Sequence, residues 1–100
     1  MSKSVKMKNA TIRNTAKAIS HADFGWATGD LEKSTGAWIS ASSAGVRYTF
    51  DGETDPTATV GHPIAADGTV YIPDGRLVRA LRFIRTGGSD AIVTVSLLRE

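Results

Sequence analysis

The chain of 100 residues contains no cysteine. That excludes a disulfide framework, a thiolate nucleophile and a cysteine–zinc centre, and it suits a reducing compartment. Histidine is nearly absent too. His21 and His62 stand far apart and form no HxH or HExxH pair, so a transition-metal site with three or four ligands is not expected. No apolar run approaches the roughly 18 residues of a membrane span. The basic N-terminus leads into no apolar stretch, so neither a membrane segment nor a secretory signal is expected. Long helical periodicity is also missing. No window of about 12 residues keeps apolar side chains at i, i+3, i+4 and i+7 without a breaker.

What remains is a pattern of short strands between turn residues. Hydrophobic content of 41% and charged content of 22% are ordinary for a globular protein, and the length suits one domain, 1–100. The first alternation runs over Ser4–Ile12, with Val5 and Met7 set against Lys6 and Lys8. Residues 15–20 suggest a shorter strand. His21–Thr35 reads as a loop with room for one short helix or turn. Strands are predicted over Trp38–Ser42, Val46–Phe50 and Thr69–Ile72, with a brief pairing over Ala58–Val60. The strongest two lie over Leu77–Arg85 and Ala91–Leu98. Both are rich in Val, Ile and Leu, which predicts central strands covered on both faces. "SSAG" reads as a tight turn from which Val46–Phe50 returns, "PDG" as a further turn, "ADG" as a hairpin signal and "TGGSD" as a five-residue hairpin loop. About eight short strands at this spacing predict an all-β fold, a small antiparallel β-sandwich or barrel of jelly-roll-like kind.

The net charge of +2 hides an asymmetry. Lys3, Lys6, Lys8, Arg13 and Lys17 fall in the first 22 residues with no acid among them, so the rest of the chain is net acidic. Such a segment is either a solvated edge strand guarded by lysines or an arm that contacts an acidic partner surface. Nucleic acid is not the expected partner, because the segment has no aromatic side chain to stack on bases. Phe24 and Trp26, two apart in the following loop, either plug the end of a core or anchor a neighbouring subunit. These seven residues are the partner-binding candidates.

One stretch, "VRYTFDGETDPTATVGHP" (Val46–Pro63), resembles a chemical site. Asp51, Glu53 and Asp55 alternate, as oxygen ligands for calcium do. The glycine follows the first acid, however, and Gly61 and His62 stand where an EF-type loop needs its glutamate, so the spacing fails. No apolar flank raises a carboxyl pKa for acid catalysis. There is no GxSxG elbow, and "TGGSD" has no lysine after it to make a phosphate loop. No catalytic residue, metal or cofactor is assigned, and an enzyme is not expected. A mechanical reading fits better: Asp51-Gly52 opens a turn, Asp55 caps backbone N–H groups, Pro56-Thr57 stiffens the next corner, and Gly61 returns the chain to extended geometry. A preformed loop of this kind loses little entropy on docking.

Residues 44–98 carry a resemblance. Arg47-Tyr48, Asp51-Gly52, Pro56-Thr57, Gly61 and Ile64, followed by Leu81–Ile84 and Ala91–Leu98, resemble the R-Y-x-x-D-G, P-T, glycine-plus-apolar pattern of small proteins encoded in the structural modules of tailed bacteriophages. The resemblance implies a virion component assembled in the host cytoplasm: a capsid decoration (cement) protein, or a head–tail or tail accessory protein. Its implied partners are the major capsid protein or other virion proteins, with homo-oligomers on the particle. "RYTFDGETDPT" is also similar to the Y-T-x-D-G-x-x-P-T repeat of immunoglobulin-like modules found beside glycoside hydrolase domains, which implies a carbohydrate- or protein-binding role.

Overall fold

The computed structural model describes residues 4–57 and 59–99. Eight strands form two sheets of four: β1 (Ser4–Ile12), β2 (Lys17–Ala18), β3 (Ser34–Ser42), β4 (Val46–Thr49), β5 (His62–Ile64), β6 (Thr69–Ile72), β7 (Arg82–Arg85) and β8 (Ala91–Arg99). One sheet has the order β1-β8-β3-β6 and the other β2-β7-β4-β5. Every pairing is antiparallel. First pairs with last, second with seventh, third with sixth and fourth with fifth. The chain is thus one long hairpin, turned back between β4 and β5 and then rolled up, which is the jelly-roll order.

Alternation along the strands builds the core. Ala91, Val93, Val95 and Leu97 of β8 face inward, as do Ala37, Ile39 and Ala41 of β3 and Ala10 and Ile12 of β1. Val46, Tyr48 and Phe83 meet them from the opposite sheet, and Ile19, Phe24, Val78 and Leu81 close the layer. Burial of each such large side chain contributes about 1.5–3 kcal/mol, so this layer dominates the favourable side of folding.

Several expectations from sequence are corrected here. Residues 77–85 are not one strand. Gly75–Arg79 forms a short helix, α1, and only Arg82–Arg85 is extended. The cause is Asp74, whose carboxylate accepts from the Arg76 N–H at 2.8 Å and caps the helix. Val78 and Leu81, three apart, then both reach the core. "PDG", expected as a turn, is therefore a helix start. "TGGSD" is no hairpin loop, because β7 and β8 lie in different sheets. The same holds for "SSAG" between β3 and β4 and "ADG" between β5 and β6, all of which cross the sandwich. β3 begins at Ser34, four residues earlier than predicted, with a bulge between Ser34 and Gly36. β7 and β8 are central, as expected, yet Ile92, Thr94, Ser96 and Leu98 of β8 are not buried, so β8 is covered on one face only. The brief pairing predicted at 58–60 includes Ala58, outside the described residues; the strand there is β5, His62–Ile64. Within residues 21–35 the one helical turn is 3-10, Ala22–Phe24, capped by His21 and by Gly25 at φ 73°.

Candidate docking face

The outer face of the β1-β8-β3-β6 sheet is the most distinctive surface of the described residues. Register fixes its members. Met7 pairs with Ser96, Ser96 with Trp38, and Trp38 with Tyr71, making one row across all four strands. Val5 stands beside Leu98, Asn9 beside Thr94, and Thr11 beside Ile92. Ser40 and Thr69 pair in the row of Thr94, and Ser42 lies beside Ile92. Not one of these residues is charged, although charged residues make up 22% of the chain. Val5 (57% exposed), Met7 (65%), Trp38 (49%), Tyr71 (44%) and Ile92 (37%) all stand here, and Val60 is the sole other exposed large hydrophobic residue described. Trp38 and Tyr71 pack with ring centroids 4.8 Å apart and planes tilted by 35°. A face of apolar, hydroxyl and amide groups without charge is cheap to dehydrate, because no ion loses its hydration.

The β4–β5 corner is a second ordered feature, and its contacts are internal. Asp51 Oδ1 accepts from the N–H groups of Glu53 (3.0 Å) and Thr54 (2.8 Å), and Oδ2 accepts from the Thr54 hydroxyl (2.7 Å). The Thr54 N–H, with its hydroxyl and the Glu53 N–H, pulls the Asp51 carboxyl down to about 2. The capping role expected of Asp55 therefore belongs to Asp51. Asp55 instead pairs with Arg82 at 2.8 Å, while the same guanidinium donates to the carbonyls of Gly52 (2.8 Å) and Glu53 (3.2 Å). Gly52 has φ 75° and Gly61 φ 120°. Arg47 donates to the Gly61 carbonyl at 2.8 Å, Pro56 is fully buried, and the Thr57 hydroxyl accepts from the Val60 N–H at 3.0 Å. The alternating acids do not converge, and no group of three or more His, Asp and Glu side chains among the described residues is placed to hold a metal. His62 lies against Phe50 and Tyr48, each at 5.4 Å between ring centroids. His21 Nδ1 accepts from the Asp23 N–H.

The seven partner-binding candidates separate. Lys3 lies outside the described residues. Lys6 and Lys8 are exposed on β1, an edge strand. Arg13 faces Asp90 at 3.6 Å. Lys17 is buried: its ammonium donates to the Thr11 carbonyl and to Asp23, whose carboxyl is held below the ordinary range chiefly by that bond. Phe24, 2% exposed, is a core plug that packs on Phe83. Trp26 is half-buried, stacked on Phe24 at 6.5 Å. Burial removes Lys17 and Phe24 from any exposed contact. Sequence reasoning passed over the outer face altogether. Its signal was present in the alternate positions of β1 (Val5, Met7, Asn9, Thr11) and β8 (Ile92, Thr94, Ser96, Leu98), whose outward set lacks charge.

The fold and this face define an eight-stranded antiparallel jelly-roll sandwich with one uncharged, aromatic-bearing outer sheet face. No family model, curated protein or solved structure matches the chain.

Proposed function

We propose that the chain is an assembly protein without catalytic function, of the virion-structural kind, which docks the outer face of its β1-β8-β3-β6 sheet on a neighbouring capsid protein. The observation that carries this reading is the charge-free face with Val5, Met7, Trp38, Tyr71 and Ile92 exposed on it. Exposed apolar surface collected on one side marks an interaction site, and an aromatic pair at its centre is the usual composition of an energetic anchor. The resemblance of Arg47–Ile64 to phage structural proteins supports the particular setting, a capsid decoration protein, with a head–tail or tail position as the variant. The jelly roll hosts capsid domains among others, which is analogy at the level of fold alone.

Size argues for repetition. Four strands about 4.8 Å apart and about 25 Å long give a face near 500 Å². A stable pairwise interface uses about 800 Å² per partner. One such contact is weak, and symmetric repetition on a particle raises avidity without new contacts. The test is co-sedimentation of the purified protein with capsids that lack it, read with capsid melting. Wild type should pellet with the particles and raise their melting temperature. Trp38→Glu should keep its own fold and lose binding by about tenfold or more. Equal pelleting of wild type and variant would refute the face, and no pelleting at all would refute the capsid setting.

The Trp38–Tyr71 pair amid Ser40, Ser96, Thr69 and Thr94 also favours a second reading, a platform for neutral glycans. Retardation of the wild type but not Trp38→Ala in polysaccharide-containing gels would support it.

A further inference from the structure

We propose that β1 accepts an extended segment of a partner protein as a fifth strand of its sheet, and that the segment alternates apolar and acidic side chains. β1 ends the sheet, bonded on one side to β8 through nine consecutive residue pairs, from Ser4–Arg99 to Ile12–Ala91, with no bulge or break. It contains no proline and no acidic residue. An unbroken edge is a template for strand addition; near its end the Thr11 carbonyl already accepts from the Lys17 ammonium, so the open template is the stretch over residues 5–8.

The side chains state what the added strand must look like. Val5 and Met7 point to the outer face and are the two most exposed large hydrophobic residues described. Lys6 and Lys8 alternate with them on the other face, beside Leu97 and Val95. Both lysines are exposed, and no ion pair among the described residues involves them. A strand laid against residues 5–8 therefore meets apolar, basic, apolar, basic in turn. Its complement has apolar groups at one parity and carboxylates at the other, since directly opposed side chains interact most strongly across a strand pair.

The same lysines argue against a second copy as the occupant. Antiparallel β1–β1 pairing centred on residue 6 opposes Lys6 to Lys6, centred on residue 7 opposes Lys6 to Lys8, and centred on residue 8 opposes Lys8 to Lys8. Like charges opposed in this way destabilise the pairing. Over residues 6–8 the edge is thus unfavourable to a second copy and open to an acidic strand. The inference deepens the protein-docking reading, on which it rests for the source of the segment, and adds an edge contact to the face contact.

The experiment uses a labelled, end-blocked peptide as long as β1 that alternates valine and glutamate, followed by fluorescence anisotropy. Saturable binding is expected. It should weaken by about tenfold in the Lys6→Gln/Lys8→Gln double variant, whose melting temperature stays at that of wild type, and should weaken on raising salt from about 50 to 300 mM. A version N-methylated at alternate amides, with the same charges, should not bind. Binding of that N-methylated peptide, equal binding of a valine–lysine peptide, or indifference to the double variant would overturn the proposal. So would tighter binding of an oligothymidylate through the same lysines, or a β1-mediated dimer seen by sedimentation. Because no capsid is present, loss of peptide binding with capsid binding intact refutes the added strand alone. Peptide binding without capsid binding refutes the capsid setting alone.

Discussion

Gly75 opens α1 against Ser34, the first residue of β3. A Cβ built there would stand 2.0 Å from the Ser34 carbonyl oxygen, a backbone atom that cannot turn away. Gly75→Ala should therefore cost about 2–3 kcal/mol through forced backbone shifts, lowering the melting temperature by about 10 °C or more; differential scanning calorimetry checks it. Gly52 is constrained by conformation, not space. At φ 75° its nearest neighbour to an added Cβ is the Ala80 side chain at 3.8 Å, so Gly52→Val should cost roughly 1 kcal/mol as strain in the left-handed region. Asp51 makes a pH-dependent contribution with a definite sign. Its folded carboxyl, at about 2, lies below its ordinary 3.8. A lowered folded value means stability that is complete above the ordinary value and lost as pH falls through about 2. A carboxyl ¹³C titration should place the Asp51 midpoint near 2. Thr54→Val, which removes the hydroxyl donor and keeps the N–H, should move it part of the way back. A midpoint at the ordinary value in the wild type would contradict the bonding described for this turn.

Elements are held to one another by contacts that cross long stretches of sequence, and these were the hardest to read beforehand. Arg99 at the end of β8 meets Asp30, in the loop before β3, at 2.7 Å, and Asp30 also accepts from the Ala27 N–H at 2.9 Å. The Asp30 side chain is 5% exposed and that of Arg99 20%. Removing one partner of a buried pair costs about 3–5 kcal/mol; with Arg99 partly solvated, Asp30→Ala should cost about 2–3 kcal/mol, measured by urea unfolding. Nothing in "TGDLEK" marks Asp30 as an ion-pair partner, because the pairing depends on a residue 69 positions away. Strands were legible where one face is core and the other solvent. Val5 to Lys8 alternates with period two and Ala91 to Leu98 is rich in Val, Ile and Leu; both lie in strands, although the alternation of β1 changes phase at Asn9 and β8 is covered on one face only. Turn residues were legible as turns but not as to what they join. Asp74 caps a helix by the same carboxylate-to-N–H bond that Asp51 uses to close a loop, and only Val78 and Leu81 docking in the core distinguishes the two. Nor does a turn signal say whether the chain returns to its own sheet. "ADG" looked like a hairpin; instead Asp67 donates to the Ala41 carbonyl at 2.7 Å and Gly68 accepts from the Ala41 N–H at 3.1 Å, pinning a crossing between sheets. The docking face was illegible for a related reason. An outward-pointing Trp38 is recognisable only once Ala37 and Ile39 are known to point in.

At the scale of the molecule, the rolled hairpin places Ser4 beside Arg99 as a residue pair, and only one connection, β4 to β5, links strands that are neighbours in both sequence and sheet. Most pairing is therefore non-local, which predicts folding in milliseconds to seconds, not microseconds. The same geometry separates two kinds of loop. At Gly87 and Gly88, in the exposed link from β7 to β8, an added Cβ would meet nothing within 4 Å. The ends of that loop are held, by the Thr86 N–H on the Gly45 carbonyl at 3.2 Å and by Asp90 on Arg85 at 2.6 Å, and only its Gly87-Gly88 tip stands open. The β4–β5 corner, by contrast, is fastened by Asp51, Thr57, Arg47 and Arg82 over residues 47–61. It is also where the long hairpin reverses, so every later pairing depends on the register it sets. A circular permutant that joins Arg99 to Ser4 by a short Gly-Ser linker and opens between Gly87 and Gly88 should retain stability to within about 1–2 kcal/mol, since exposed loop tips tolerate new termini. Opening the same circularised chain between Asp51 and Gly52 severs the turn that carries the Asp51 bonds and frees the Arg82 contacts to Gly52 and Asp55. That permutant should lose at least about 2–3 kcal/mol more and refold more slowly. Stopped-flow refolding and chemical denaturation of the pair provide the measurement. Equal stability and equal rates would mean that the corner, for all its bonds, follows the roll-up of the sheets and does not direct it.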